Sequence, residues 1–261
     1  MANTHPISNT AERPSSDASF NFFYQRFCLA YKTASEMING IVLEAGTGTG
    51  YGLSWLSPNA KSLLGIDKYN TAALIDTFQY PNFEFRKMKF PPFSEIPDQT
   101  FDYVISFHVI EHIRKDLFFV QEVKRVLKEN GIFIVSTPNS LMTLARNPFH
   151  IREYTSIQFK NLLSNYFATI EACGVFGKAN AMQYYFKNKS SIEKITRLDI
   201  FRFQQWLPNC LLRIPYEMLN RFNRLRMYNK HETVLNDIQM NDFYIAPVND
   251  ECLDLFYICT K

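Results

Sequence analysis

A loop in which glycine occupies alternate positions is the first feature of this sequence that could do chemistry. Gly46, Gly48 and Gly50 follow the short apolar run 41–45 and precede a predicted helix. Glycine allows a backbone to approach a ligand closely, and open α/β sheets bind cofactors in the loop between the first strand and the next helix. The pattern therefore predicts a cofactor site at residues 44–52.

The spacing of these glycines excludes two common nucleotide sites. A dinucleotide-binding loop has the pattern Gly-x-Gly-x-x-Gly, and the third glycine counted from Gly46 would fall at residue 51, which is Tyr51. A phosphate-binding loop ends in Lys followed by Ser or Thr, and no such pair follows these glycines. The predicted ligand is therefore a cofactor of another class.

Three histidines and a glutamate form a second group of candidate residues. His108, Glu111 and His112 follow the predicted strand 101–107, and His150 follows a later strand. Histidine can act as a general base near neutral pH or as a ligand of a transition metal. The same residues can also be structural and tie a helix to the sheet, so both interpretations stay open at this point.

The elements that must position these residues alternate between strands and helices. This alternation predicts an α/β fold, a doubly wound and mostly parallel seven-stranded sheet covered on both faces. Ligands in such a sheet lie beyond the carboxyl ends of the strands, which brings the glycine loop near His108. The predicted strands are 41–45, 62–67, 82–88, 101–107, 131–137, 168–176 and 252–260, and the predicted helices include 19–37, 116–130 and 154–166.

The amino-acid composition excludes several classes of protein. The chain has 261 residues, 46% of them apolar, which excludes a wholly disordered protein, and its net charge of +3 does not by itself indicate a nucleic-acid or membrane partner. No uncharged run supplies the ~20 apolar residues that a membrane span needs. Residues 1–19 lack an apolar signal segment and are predicted to be a mobile polar tail. Five cysteines without Cys-x-x-Cys spacing indicate reduced thiols, so the predicted location is cytoplasmic.

A basic segment interrupts the predicted sheet before its last strand. Residues 178–230 contain eleven Lys or Arg and three Asp or Glu, a net charge of +8. We predict one α/β domain formed by residues 20–177 and 251–261, with a basic helical insertion at 178–250. Within it, Arg221, Arg224 and Arg226 alternate with apolar residues, as in an amphipathic helix that could cap the fold, bind an anionic substrate or contact anionic lipid.

Taken together, the motifs resemble those of the class I S-adenosylmethionine-dependent methyltransferases. The family has an acid and alternating glycines after its first strand, as Glu44 and the glycine loop do here, and an acid at the end of its second strand, as Asp67 is here. The similarity continues through residues 101–106, 109–112, 126–131 and 136–139 and covers about residues 24–176. It implies an enzyme, a transferase with S-adenosylmethionine as its cofactor.

The resemblance also implies a role for each matching residue. The glycine loop would lie beside the methionine part of the cofactor, and Asp67 would accept hydrogen bonds from both ribose hydroxyls, which suits a carboxylate with two oxygens. Many relatives place an acid after the third strand to bind adenine, but residues 86–90 contain none, and Met88 is expected to contact the ring instead. The predicted cofactor-binding residues are Glu44, Gly46, Thr47, Gly48, Gly50, Asp67, Lys68, Met88, Phe107 and His108.

The histidines favour oxygen as the methyl acceptor. An alcohol must lose its proton as it attacks the methyl group, whereas an amine needs no strong base, so His112 and His150 are the predicted catalytic residues. Residues 137–139 and 147–155 are similar to bacterial methyltransferases found beside cell-surface polysaccharide functions. The predicted reaction is therefore O-methylation of a small molecule or saccharide precursor. Because the insertion is basic, this acceptor could carry a negatively charged group.

Two alternatives remain. The small-RNA 3′-terminal ribose 2′-O-methyltransferases carry Glu-Val-Ile-Glu-His and a later His that bind a divalent metal, and this sequence matches except that His108 replaces the first Glu. No RNA-binding parts are recognisable, so we predict no metal and no nucleic-acid partner. The other alternative is a cofactor-binding module without catalysis, which the intact glycines and Asp67 disfavour. The sequence leaves the oligomeric state open.

Overall fold

The fold comes from a computed structural model that describes residues 18–71, 79–197 and 207–261. Most of the predicted polar tail, residues 1–17, lies outside the described residues, as does 198–206 of the predicted insertion. Ala18–Phe20 form a 3-10 turn in which Ser19 and Phe20 are buried, so the tail prediction was one or two residues too long. None of the described helices combines the length and the apolar composition needed to cross a membrane.

Eight strands form one mixed sheet in the order β3-β2-β1-β4-β5-β8-β6-β7. The first five strands along the chain pair in parallel, whereas β8 runs antiparallel to both β5 and β6. The predicted doubly wound α/β fold is confirmed. The strands are β1 Ile41–Ala45, β2 Ser62–Asp67, β3 Phe83–Lys87, β4 Phe101–Phe107, β5 Leu127–Pro138, β6 Thr169–Gly177, β7 Phe243–Pro247 and β8 Asp254–Thr260.

The sheet has one strand more than the seven predicted, and the additional strand is β7. It lies inside the segment 178–250 that was expected to be helical, and it pairs antiparallel with β6, from Gly177 opposite Phe243 to Cys173 opposite Pro247. A strand at the edge of a sheet tolerates proline because one side of its backbone needs no partner. The short run that ends in Pro247 therefore gives only a weak strand signal in the sequence.

In the described part of the chain, six α-helices cover the sheet. One predicted boundary was wrong: α3 ends at Val126, not near residue 130, because the chain passes directly into β5 at Leu127. Another begins later than predicted, because Thr155 caps α4 and exchanges hydrogen bonds with Gln158. The helices are α1 Asn21–Ser35, α2 Leu53–Leu56, α3 Asp116–Val126, α4 Ser156–Leu163, α5 Ala179–Thr196 and α6 Asn209–Asp237.

Two hydrophobic layers form, one on each face of the sheet. Successive residues of a strand point to opposite faces, so Val42 packs with Tyr31 of α1 whereas Leu43 packs with Phe119 of α3. Helices α5 and α6 contribute Tyr184 and other residues to the α1 layer. The four cysteines whose side chains are described, Cys28, Cys173, Cys252 and Cys259, are buried and free. This arrangement leaves the carboxyl ends of β1, β4 and β5 beneath α1, α5 and α6.

Candidate functional site

The glycine loop turns sharply between β1 and α2. Gly46, Gly48 and Gly50 all have positive φ, of 94°, 58° and 80°. A Cβ on Gly46 would lie 2.3 Å from Cγ2 of Val109, so this glycine is required by packing as well as by its backbone conformation. A Cβ on Gly48 would have no atom within 4 Å. The loop therefore borders open space at Gly48, where the sequence predicts that the cofactor binds.

Asp67 lies at the carboxyl end of β2 and is fixed against this loop. Its Oδ2 accepts a hydrogen bond of 3.1 Å from the Gly48 amide, and its Oδ1 accepts one of 2.8 Å from the Tyr69 amide. Each carboxylate oxygen has two lone pairs, so both can still accept a further hydrogen bond. The amide of Met88 donates to the Asp67 carbonyl at 2.8 Å, and the Met88 side chain is buried. The structure thus brings Gly48, Asp67 and Met88 together, as the sequence predicted. Their contact with a cofactor stays a prediction.

Glu44 and Tyr31 form a buried pair behind the loop. The Tyr31 hydroxyl donates a 2.7 Å hydrogen bond to Oε1 of Glu44, while Oε2 has no hydrogen-bond partner among the described residues. Burial raises the pKa of Glu44 to about 7, although hydrogen bonds from Tyr31 and Thr47 oppose the shift. Glu44 can therefore change its charge near neutral pH. No local sequence pattern indicates this pairing, because Tyr31 lies on α1 and Glu44 lies on β1.

A cavity of about 310 Å³ lies beyond the carboxyl ends of β4 and β5. Volumes of roughly 300–1,000 Å³ are typical of small-molecule sites. Aromatic residues of α1 contribute both to the core and to this cavity, because Tyr31 packs in the core whereas Phe27 lines the cavity. Helices α5 and α6 of the predicted insertion lie across the same cavity. Its apolar wall includes Phe20, Phe23, Phe27, Tyr184, Tyr185 and Leu212.

His112 and His150 lie at the polar end of this cavity, with their ring centroids 4.9 Å apart. Nδ1 of His112 lies 3.0 Å from the carbonyl oxygen of Phe149. A carbonyl can only accept, so Nδ1 carries the proton and Nε2 carries the lone pair that could take a proton from a substrate. In His150, Nδ1 lies 2.6 Å from Oε1 of Glu153, and Nε2 lies 2.9 Å from the side-chain amide of Asn147. Of the two predicted catalytic residues, His112 has the better geometry for a general base.

Glu111 lies beside these histidines with a side chain that is almost fully buried. Its Oε2 accepts a 3.0 Å hydrogen bond from the Thr137 hydroxyl, and its Oε1 lies 3.6 Å from Nδ1 of His108. Burial alone would raise the pKa of Glu111, but the close contact with His108 and the neighbouring imidazoles lower it to about 2. The residue is therefore an anion at neutral pH, and it stabilises a positive charge on His112.

One carboxylate and two imidazoles in this cluster could also hold a metal. Ligand atoms of Glu111, His112 and His150 all lie within 4.8 Å of one another, and this donor set suits a transition metal. Against such a site, both ring nitrogens of His150 already contact protein groups. The sequence-based expectation that no metal is used stays a prediction, and the chelation experiment described in the Discussion tests it.

Phe107 and His108, both predicted cofactor residues, face different surroundings. The Phe107 ring packs in the core, 4.9 Å from the ring of Tyr31. His108 has a φ of 54° and lines the cavity, with its ring 4.3 Å from that of Phe27 and its Nε2 3.8 Å from Asp254. His108 thus lies between the loop and the cavity, and its contact with the cofactor stays a prediction. Of the other predicted residues, Thr47 is buried and Lys68 stacks over Tyr69.

A buried ion pair that the sequence analysis did not identify lies beside His108. Nε of Arg26 lies 2.9 Å from Oδ2 of Asp254, and both side chains are at most 10% exposed. Arg26 lines the cavity, and its guanidinium carbon lies 5.3 Å from the centre of the Phe23 ring. These residues are far apart in the sequence, so no local pattern could indicate the pair.

Of the three arginines considered for binding an anionic group, only Arg224 lines the cavity among the described residues. Its guanidinium carbon lies 5.8 Å from the centre of the Phe20 ring. Arg221 and Arg226 are exposed on the outer side of α6. An anionic acceptor inside the cavity would therefore meet Arg224 and not the other two.

Comparisons with known proteins agree with this geometry. Residues 22–172 match a family model described as a methyltransferase domain. A Mycobacterium tuberculosis protein named "Probable S-adenosylmethionine-dependent methyltransferase" is 33% identical over 178 residues, which is 65% of each chain. A protein of Mycolicibacterium smegmatis with the same description is 31% identical over 182 residues, 67% of this chain and 70% of its own. The match thus spans about two thirds of the length of these relatives.

Solved structures share the fold at low sequence identity. An S-adenosylmethionine-dependent methyltransferase from Thermotoga maritima superposes with a TM-score of 0.58 at 12% identity, covering 93% of this chain and 92% of the other. A phosphoethanolamine N-methyltransferase from Haemonchus contortus, solved with S-adenosylmethionine, gives a TM-score of 0.53 at 15% identity over 86% of this chain and 49% of the other. At these identities the likeness establishes the fold alone.

Proposed function

The chain belongs to the family of class I S-adenosylmethionine-dependent methyltransferases, and from that premise we propose that it methylates a hydroxyl group of a small molecule, which includes saccharide precursors. The observation that carries this proposal is the orientation of His112. The hydrogen bond from its Nδ1 to the Phe149 carbonyl leaves Nε2 as a base at the end of a cavity of small-molecule size. A hydroxyl acceptor needs such a base, because its oxygen must lose a proton as it attacks.

The cofactor, when bound, supplies an electrophilic methyl group on a sulfonium. Of the chain's own residues, Asp67 and the glycine loop would hold its ribose and amino-acid parts, in keeping with the open space at Gly48. His112 would accept the hydroxyl proton at Nε2, and the buried anion Glu111 would stabilise the resulting imidazolium. The hydrogen bond from Thr137 holds Glu111 in place for this role. The proton would leave the oxygen as the oxygen–methyl bond forms and the sulfur–methyl bond breaks, so the methylated oxygen would carry no charge.

The cavity supports an acceptor of modest size with at least one apolar face. Its aromatic wall from α1 and α5 packs against such a face and excludes water, which strengthens the electrostatic effect of Glu111 on His112. Arg146 and Arg224 line the cavity and could meet a negatively charged substituent, whereas Arg26 is already paired with Asp254. A sugar carrying a phosphate would satisfy both features.

A second candidate is a metal-dependent RNA ribose 2′-O-methyltransferase. The observation in its favour is the cluster of Glu111, His112 and His150. Single-stranded nucleic acid binds in positively charged grooves with exposed aromatic platforms, whereas the aromatic residues here line a cavity covered by α5 and α6. We therefore place the small-molecule acceptor first.

The test is methyl labelling of fractionated cell extract, with mass spectrometry to locate the methyl group. We expect the full-length protein to transfer label from S-adenosylmethionine to a hydroxyl in the small-molecule fraction. His112→Ala should slow this transfer by about 100-fold or more, since general-base catalysis contributes roughly 10²–10⁴-fold, while leaving cofactor affinity unchanged. His231→Ala is the matched control, because His231 is on α6 and does not line the cavity among the described residues.

Label on a nitrogen, label in the RNA fraction, or full activity in His112→Ala would each contradict the proposal. Label on a nitrogen would mean that the acceptor is an amine, which needs no strong base. The second would favour the RNA candidate, and the third would show that another group takes the proton.

A further inference from the structure

The outward face of α6 carries an unusual concentration of exposed apolar residues. The described residues include thirteen large apolar side chains that are exposed, and six of them belong to this one helix. Five of the six recur at intervals of three or four residues and so lie along one side of the helix. Large apolar surfaces of this kind mark binding sites. We call these five residues the apolar stripe: Leu211, Ile214, Met218, Phe222 and Leu225, each more than half exposed.

Positive charge borders the apolar stripe. Arg221 and Arg226 lie on its two sides at helical spacing, and both are exposed. No carboxylate in the described part of the chain forms an ion pair with either arginine. Between residues 209 and 230 the helix has five basic residues and one acidic residue, Glu217, a net charge of +4. The face thus combines apolar side chains with unneutralised arginines.

This combination discriminates between kinds of partner. A second copy of the chain would bring the same arginines close to one another, and the stripe offers no acidic residue to compensate them. The surface of an anionic lipid bilayer offers both negative phosphate groups for the arginines and an apolar interior for the stripe. We propose that the outward face of α6 docks on the surface of anionic phospholipid membranes, with the helix axis parallel to the bilayer.

The position of α6 gives this docking a consequence for the site. Its inner face contributes Leu212, Tyr216 and Arg224 to the cavity wall, so one helix separates the cavity from the docking surface. A membrane-bound protein therefore holds its cavity next to the lipid headgroups. The proposal does not depend on the identity of the methyl acceptor, because it rests on the outer face of the helix alone.

The test is co-sedimentation of the full chain with vesicles made of equal parts phosphatidylcholine and phosphatidylglycerol, and with vesicles of phosphatidylcholine alone. We expect binding to the anionic vesicles that weakens as salt is added. Replacing Met218 and Leu225 together by Glu should weaken it by about tenfold or more, because two apolar side chains are lost from the bilayer interface. Replacing Arg221 and Arg226 by Gln should weaken it by about fivefold for each arginine.

Ile157→Glu is the matched control, because Ile157 is an exposed apolar residue on α4, away from the stripe. It should leave vesicle binding unchanged, and equal melting temperatures for all variants show that the fold is retained. Equal binding of the parent to neutral and anionic vesicles, or unchanged binding of the Met218/Leu225 variant, would overturn the proposal. So would sedimentation velocity that shows a dimer which the Met218/Leu225 variant dissociates.

Discussion

Glu44 should make the stability of the protein depend on pH near neutrality. Its carboxyl group is fully buried behind the glycine loop, and its pKa is raised from 4.5 to about 7. A group with a raised pKa binds its proton more tightly in the folded state, so its contribution is fully present below about pH 4.5 and is lost as the pH rises through about 7. The difference corresponds to about 3 kcal/mol of unfolding free energy.

Glu44→Gln removes this titration with little change in shape. The amide oxygen can accept the hydrogen bond from Tyr31 that Oε1 accepts now, at 2.7 Å in the parent. The variant therefore resembles protein with a neutral Glu44 at every pH. Glu111 titrates in the opposite sense, with its pKa lowered to about 2, so its contribution is lost only in acid below about pH 4.5. The contributions of Glu44 and Glu111 to the unfolding free energy therefore change in different pH ranges and can be measured separately.

The assay is urea unfolding of the cofactor-free protein at a series of pH values from about 5 to about 8. The parent should lose about 2.5 kcal/mol more unfolding free energy across this range than Glu44→Gln does, because the remainder of the total is lost outside it. Glu36→Gln is the control, because it makes the same substitution at an exposed glutamate at the end of α1. Parallel pH profiles for parent and Glu44→Gln would refute the reasoning, since they would mean that Glu44 ionises without cost.

Two further predictions concern the loop and the histidine cluster. Gly48→Val should abolish S-adenosylmethionine binding in calorimetry while the protein stays folded, because the new side chain enters the open space beside the loop at a φ of 58°; retained binding would place the cofactor elsewhere. Excess chelator should leave methyl transfer at its full rate, and loss of activity that manganese or zinc restores would instead identify Glu111, His112 and His150 as metal ligands.

Local patterns predicted the α/β fold and the position of the glycine loop between β1 and α2. The glycines at 46, 48 and 50 and Asp67 at the end of β2 are recognisable because each signal lies within a few residues of a strand end. The same reasoning placed His112 and His150 near the site, since both follow strands whose carboxyl ends meet at one edge of the sheet.

Features that depend on contacts distant in the sequence escaped prediction. The ion pair of Arg26 with Asp254 joins the first helix to the last strand, and no spacing rule connects them. Strand β7 was missed because it has only five residues and ends in Pro247, which makes its sequence signal weak. The apolar stripe could not be predicted either. The spacing of apolar residues in α6 indicates an amphipathic helix but does not show which side of the helix faces the protein.

The most direct test of the account is calorimetric titration of the parent and Asp67→Ala with S-adenosylmethionine and its demethylated product. Asp67 accepts hydrogen bonds from the Gly48 and Tyr69 amides and is expected to accept those of the ribose. Its loss should cost roughly 1.5–3 kcal/mol, which weakens binding about 10- to 150-fold. Asp67→Asn keeps one acceptor oxygen, so its affinity for the cofactor should lie between those of the parent and Asp67→Ala. Equal affinity in parent and Asp67→Ala, with both folded, would contradict the assignment of this loop as the cofactor site.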